Sequence, residues 1–353
     1  MTHTVTHTMT RAETRQDARA RAAESGARGL ARLAAGKLAR AVVVILAAYS
    51  ASFFLLFVLP GDAVLARIGT TDTIGSADVS DLNLDLLRDQ VGLSGSLWTQ
   101  YLDGLSGLVR GDLGHSLITE QPVTTMLGEV LPNTVTLAAV SLAVSVPLGF
   151  LVAVLAVLPR TRWIRSLASL LPSAYVSLPV FWVGILFVYF FAITLGWFPS
   201  SGSQGAASLV LPATVLALLG AAQFAQVLIS SLRTELGATY AAVTAPAKGA
   251  GRFHTLLRHC LRNASFPFLA VFGLRIGQLL GGTVVVEMVF SRVGLGRLMV
   301  DSVKAVDLTV VLGIVVVLAA VYVVINIVVD LGYVLLDPRL RRRPAAVAQE
   351  PGA

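Results

Sequence analysis

Apolar residues in this chain come in long blocks separated by short polar stretches. Six blocks are long enough, at about 1.5 Å per helical residue, to cross roughly 30 Å of hydrocarbon. They cover residues 41–59, 134–158, 170–195, 209–229, 268–290 and 308–335. The pattern predicts an all-α polytopic membrane protein with six transmembrane helices, its membrane domain running over 41–335. The first block ends at Leu59-Pro60-Gly61-Asp62 rather than at a small-residue cleavage site, so it reads as an uncleaved span. Pro147 and Pro179 fall inside the second and third blocks, where neighbouring helices can re-satisfy the carbonyls that proline frees. Trp163 and Trp197 stand near the two ends of the third, as interfacial aromatics do.

Residues 60–131 break the pattern, with ten acidic and only three basic residues. Leu, Val and Tyr recur with helical spacing over 83–91 and 97–109. This stretch is too polar to span and predicts an extracytoplasmic segment with one or two short helices. Residues 1–40 are Ala/Arg-rich without an apolar period, which predicts a basic cytosolic tail with little fixed structure. Residues 336–353 form a second basic tail.

Composition agrees with the blocks. Only 13% of the 353 residues are charged and 55% are hydrophobic, with mean hydropathy +0.77, against roughly a quarter charged in soluble domains. The formal charge of +7 invites a nucleic-acid partner, but its distribution argues otherwise. With a cytosolic N-terminus, 20 of the 27 Lys and Arg residues fall in cytosolic segments (1–40, 159–165, 232–264, 336–353) and 6 in outer ones. That bias sets topology, with both termini inside, and leaves no need for nucleic acid. The single cysteine, Cys260, excludes an intramolecular disulfide and a Cys-rich metal site. None of the five histidines lies within an apolar block. There is no GxxxxGK[ST] phosphate loop and no plausible nucleophile–base arrangement, so neither an enzyme nor a cofactor is expected.

Two stretches stand out. Thr239 to Pro267 carries Lys248, Arg252, Arg258 and Arg262 against no acidic residue, and its middle is mostly Ala, Gly, Val, Thr and Pro. Such a segment can press its backbone against another protein, or it can simply be a basic loop between spans. In the fifth block, Gly273, Gly277 and Gly281 recur every four residues and form a bare stripe for helix packing. Arg275 lies about 160° from Gly277, and Gln278 about 60° from Arg275. The pair is expected to face a water-filled pathway, the alternative being a snorkelling or structurally paired Arg275. Glu287 lies near the outer boundary, within reach of Arg292 or Arg297, and reads as half of a structural pair. Asp330, near the inner end of the last block, reads the same way.

At this point the residues resemble a known family. The pieces are Leu59-Pro60-Gly61-Asp62, Tyr101, Leu108 to Ser116 (LVRGDLGHS), Leu131-Pro132-Asn133-Thr134 and Ala247-Lys248-Gly249. Arg258-His259, Leu261-Arg262-Asn263-Ala264, Pro267, Gly281 to Glu287 (GGTVVVE), Gly294-Leu295-Gly296-Arg297 and Leu336-Asp337-Pro338-Arg339 follow. In this order and spacing the chain, from about Ala39 to Arg341, resembles permease subunits of binding-protein-dependent ABC importers of the dipeptide/oligopeptide/nickel group.

The resemblance implies a type I ABC importer permease fold in the bacterial inner membrane. It implies a second permease subunit, cytosolic ATPase subunits and an extracytoplasmic solute-binding protein as partners. The implied cargo is a di- or oligopeptide, with nickel or another small solute as the alternative. It further implies an ATPase-coupling loop of Val243, Thr244, Ala245, Pro246, Ala247, Lys248 and Gly249, with Arg258 and His259 beyond. Pro246 stands where the family often has Arg, and Val243 where it has an acidic residue or Arg, so the docking helix is expected to be short or to start near Pro246. The N-terminal tail is longer than is usual there. An ion-driven secondary transporter would instead call for carboxylates in the bundle core and inverted repeats, and no repeat is visible.

Overall fold

The structure, a computed structural model, describes residues 36–56, 96–238 and 251–336. Among these residues it is helical throughout and has no strand, only an isolated bridge between His115 and Pro122. The helices are α1 (Gly36–Leu56), α2 (Leu97–Arg110), α3 (Val123–Val157), α4 (Arg162–Val176), α5 (Val180–Phe187), α6 (Ala207–Gly237), α7 (Leu261–Val289), α8 (Leu295–Lys304) and α9 (Leu308–Leu336). Four are long and apolar enough to cross a membrane, and six spans result if each of two bent pairs counts as one.

The sharper of the two bends follows from the sequence. The expected single helix over 170–195 is instead two segments, α4 and α5, the latter prolonged by a π-helical stretch Val188–Thr194, bent by 105°. Pro179 causes the break. It lacks an N–H and disfavours helical backbone at Leu178, so it stands as the N-cap of α5, its carbonyl accepting from Trp182 N and Val183 N. Pro132 and Pro147, by contrast, lie inside a continuous α3. At Pro147 the helix is clamped by α6. A Cβ on Gly149 would lie 2.8 Å from Phe224 Cβ, and one on Gly220 of α6 would lie 2.8 Å from Ser145 Cβ. The span also begins earlier than its apolar block, at Val123 rather than residue 134, and α1 begins at Gly36 rather than residue 41.

The parallel pair α3–α6 is the centre of the bundle, with α7 and α4 packed on α6. α6 is the most enclosed candidate span, with 61% of its apolar window buried against 17% for α1. One core knits Ala153, Ala156 and Val157 of α3 to Leu228, Ile229 and Leu232 of α6, and to Leu256, Cys260 and Ala264. At the opposite end Val123 and Leu127 of α3 pack on Leu295 and on Val310 of α9. α2 lies on α1 through Tyr101 against Tyr49, Phe53 and Phe54. Residues 97–110 thus form a helix as expected, whereas 83–91 and the tails 1–35 and 337–353 lie outside the described residues.

Candidate functional site

The segment expected to grip a motor lies between α6 and α7. Val243, Thr244, Ala245, Pro246, Ala247, Lys248 and Gly249 themselves fall outside the described residues. Their anchor points do not. α6 ends at Gly237, and the chain re-enters through a helical turn Arg252–Thr255 and a π turn Leu256–Cys260 that run into α7. Leu256 and Cys260 are completely buried against α3 and α6. Asn263 Nδ2 donates to Glu235 Oε2 at 2.9 Å, tying the start of α7 to the end of α6. Both ends of the segment are therefore joined to one packed core. Arg258 is exposed on the re-entry turn. His259 belongs to the same turn, and its side chain is outside the described residues.

α7 carries the other expected group. Its glycine stripe packs on α9 at two of three positions. A Cβ on Gly273 would lie 2.8 Å from Val329 Cγ1, and one on Gly277 would lie 2.7 Å from Tyr322 Cε2. Gly281 faces open space. Arg275 points the other way, into α6, and is only 4% exposed. Its Nη2 donates to Leu216 O at 3.2 Å, and its Nε lies beside Gly220, where a Cβ would come within 3.3 Å. That Nε has no hydrogen-bond partner among the described residues. Gln278, about 60° round the helix, is exposed. Within one chain, then, Arg275 and Gln278 do not share an open face.

At the opposite end of the bundle three of the quoted motifs meet, a junction that spacing alone did not disclose. Glu287 is 1% exposed. Thr134 Oγ1 donates to its Oε1 at 2.6 Å, while Oε2 accepts from Gly296 N at 2.7 Å and Arg297 N at 3.4 Å. Thr134 Oγ1 accepts in turn from Leu295 N at 2.8 Å. The carboxyl and hydroxyl together take the free N–H groups of the first turn of α8, the positive end of that helix. Gly294 and Gly296 are glycine for space, since a Cβ on either would overlap the Glu287 carboxyl or Val284. The expected side-chain pair is corrected accordingly: Arg297 meets Glu287 through its backbone N–H, not its guanidinium.

Arg292 turns to α6 instead, its Nη1 donating to Ser208 O at 2.9 Å. That carbonyl lacks its helical donor because residue 212, four further on, is proline. Burial lowers the Arg292 pKa and the nearby Glu287 charge opposes that shift. A parallel device holds α9, where buried Asp307 accepts from Ser116 Oγ, from Leu117 N at 3.2 Å and from Val310 N at 3.4 Å. The LVRGDLGHS motif is thus an anchor for the start of the last span.

Nothing in these arrangements offers a nucleophile with a base, and no cluster of metal-ligating side chains occurs among the described residues. These arrangements pack helices together and anchor helix ends. Comparison with known proteins agrees. Residues 145–342 match the family described as "Binding-protein-dependent transport system inner membrane component". The chain is 35% identical over 313 residues to a putative peptide transport system permease protein of Brucella abortus, covering 86% of this chain and 97% of that one. It is 33% identical over 289 residues to the glutathione transport system permease protein GsiC of Escherichia coli K12, covering 82% and 92%. Its fold is similar to a chain of the MetNI methionine ABC transporter, with TM-score 0.52 at 18% identity, covering 60% of this chain and 96% of that one. The chain therefore belongs to the family of binding-protein-dependent transport system inner membrane components, the multi-pass permeases of ABC importers.

Proposed function

We propose that this permease moves short peptides inward across the membrane, driven by ATPase subunits on separate chains. The observation that carries the reading is the near full-length match, 35% identical, to a permease whose name specifies peptides. The glutathione permease, itself named for a small peptide, points the same way, and neither relative is named for nickel. Both termini and residues 239–250 lie on the cytosolic side. The support is the bias of 20 against 6 basic residues, and the packing of α3, α6 and the turn before α7 at one end of the bundle.

Residues 243–249 dock in a groove on the ATPase, a second permease subunit closes the path, and an extracytoplasmic binding protein delivers the peptide. ATP shifts the pair between outward- and inward-open states only through contacts that differ between those states. The path runs along the face of α7 that bears Gln278. Arg275, whose guanidinium makes one hydrogen bond among the described residues, lies one layer behind it. The test is peptide-stimulated ATP hydrolysis by the reconstituted transporter. Lys248→Glu combined with Gly249→Trp abolishes stimulation without loss of membrane insertion. Normal stimulation in that variant removes the loop from this role, and stimulation by nickel but not by peptides transfers the cargo to the alternative.

A further inference from the structure

A cavity of about 720 Å³ opens between the end of α3, the start of α4 and the end of α6. Its charged lining is Arg162, Arg165 and Arg233, joined by Ser166 and Ser169, with no carboxylate among the described residues. On α4, residues 162, 165, 166 and 169 fall on one face by helical geometry. Arg233 is pre-oriented, its Nη2 donating to Ser169 Oγ at 2.7 Å. Arg165 Nε is buried without a hydrogen-bond partner among the described residues. The nearest acid on α6, Glu235, is turned to Asn263, and residues 239–250, which follow, contain no acid. Three guanidinium groups around one cavity repel one another, and a buried donor left unpaired is costly. The arrangement calls for an anion from outside the chain.

We propose that this cavity binds the phosphate of an anionic phospholipid headgroup. The phosphate suits Arg forks and serine hydroxyls. A lipid rather than a free ion is favoured by what surrounds the cavity. Trp163, 85% exposed, follows Arg162, and Leu167 and Leu170 are also exposed on α4, as on a helix at the membrane boundary. Leu170 and Leu236 line the cavity itself, giving the start of an acyl chain an apolar wall. Basic pockets between spans are suited to anionic headgroups.

The test is native mass spectrometry of the full chain in detergent, titrated with phosphatidylglycerol or phosphatidylcholine. Wild type retains phosphatidylglycerol preferentially, and Arg162→Gln/Arg165→Gln/Arg233→Gln weakens that retention roughly 10- to 100-fold while leaving phosphatidylcholine unchanged. Arg160→Gln, outside the cavity, has no effect. Equal retention of the two lipids by wild type, which needs no variant, overturns the proposal. So does displacement of phosphatidylglycerol by millimolar sodium phosphate, which identifies a free-anion site. Unchanged lipid retention in the triple variant together with lost ATPase co-purification also overturns it, in favour of a partner's carboxylate.

Discussion

Replacing Glu287 with Ala isolates the junction that seats α8. The carboxyl serves three donors, Thr134 Oγ1 at 2.6 Å, Gly296 N at 2.7 Å and Arg297 N at 3.4 Å, in a site 1% exposed. Removing it orphans the two close donors and takes away the long third contact as well. A buried donor left unpaired costs about 1–3 kcal/mol, so the two together predict a loss of about 2–6 kcal/mol. That is a large share of the marginal stability of any fold. Gln at 287 keeps one acceptor oxygen and is expected to cost only about 1–2 kcal/mol, from loss of the charge-assisted contact to the start of α8. Thr134→Val removes the hydroxyl that links Glu287 to Leu295 N, so the two sites are coupled and their effects are not additive. The assay is equilibrium unfolding in mixed micelles, read as a midpoint shift for each single and double variant. Glu287→Ala within about 1 kcal/mol of wild type, or strict additivity with Thr134→Val, refutes the assigned role.

Three further outcomes follow from the same geometry. Gly277→Ala pushes Tyr322 away from α7 and costs about 1–3 kcal/mol by overpacking, whereas Gly281→Ala, facing open space, is tolerated, as unfolding midpoints measure. Asp307→Ala frees Ser116 and the starts of α9 and of the 117–120 turn. It costs about 2–4 kcal/mol, seen as faster proteolysis at residues 111–122. Arg275→Met separates structure from transport: a buried cation with one carbonyl partner among the described residues is replaced at little or no loss of stability. If Arg275 serves the path, uptake by the assembled transporter falls at least about tenfold while the unfolding midpoint holds.

Apolar block length made the spans legible, four as single helices and two as bent pairs, because the bilayer fixes the length a helix needs. The break within the third, at Pro179, was not legible, since tolerance of proline depends on packing partners that a single block does not reveal. Pro147 sits in a helix clamped at Gly149, and Pro179 opens a new helix. The glycine stripe was readable by its four-residue spacing at Gly273 and Gly277, but at Gly281 spacing carried no information about whether α9 still lies alongside. Least visible was the meeting of Thr134, Glu287 and Gly296. Their separation of 153 and 9 residues gives no periodicity, and the signal that could have found it was a carboxylate shortly before a Gly-x-Gly start of a helix. Arg292 was equally hidden, because the acceptor it fills is created by Pro212 on another helix.

As proposed above, this chain supplies a path and a docking surface but no energy. Proteoliposomes carrying the permease alone, and others carrying it with the ATPase subunits, partner permease and binding protein, are compared for uptake of labelled peptide against a gradient. Accumulation is expected only in the complete set, and only with ATP. Uphill uptake by this chain alone would contradict it.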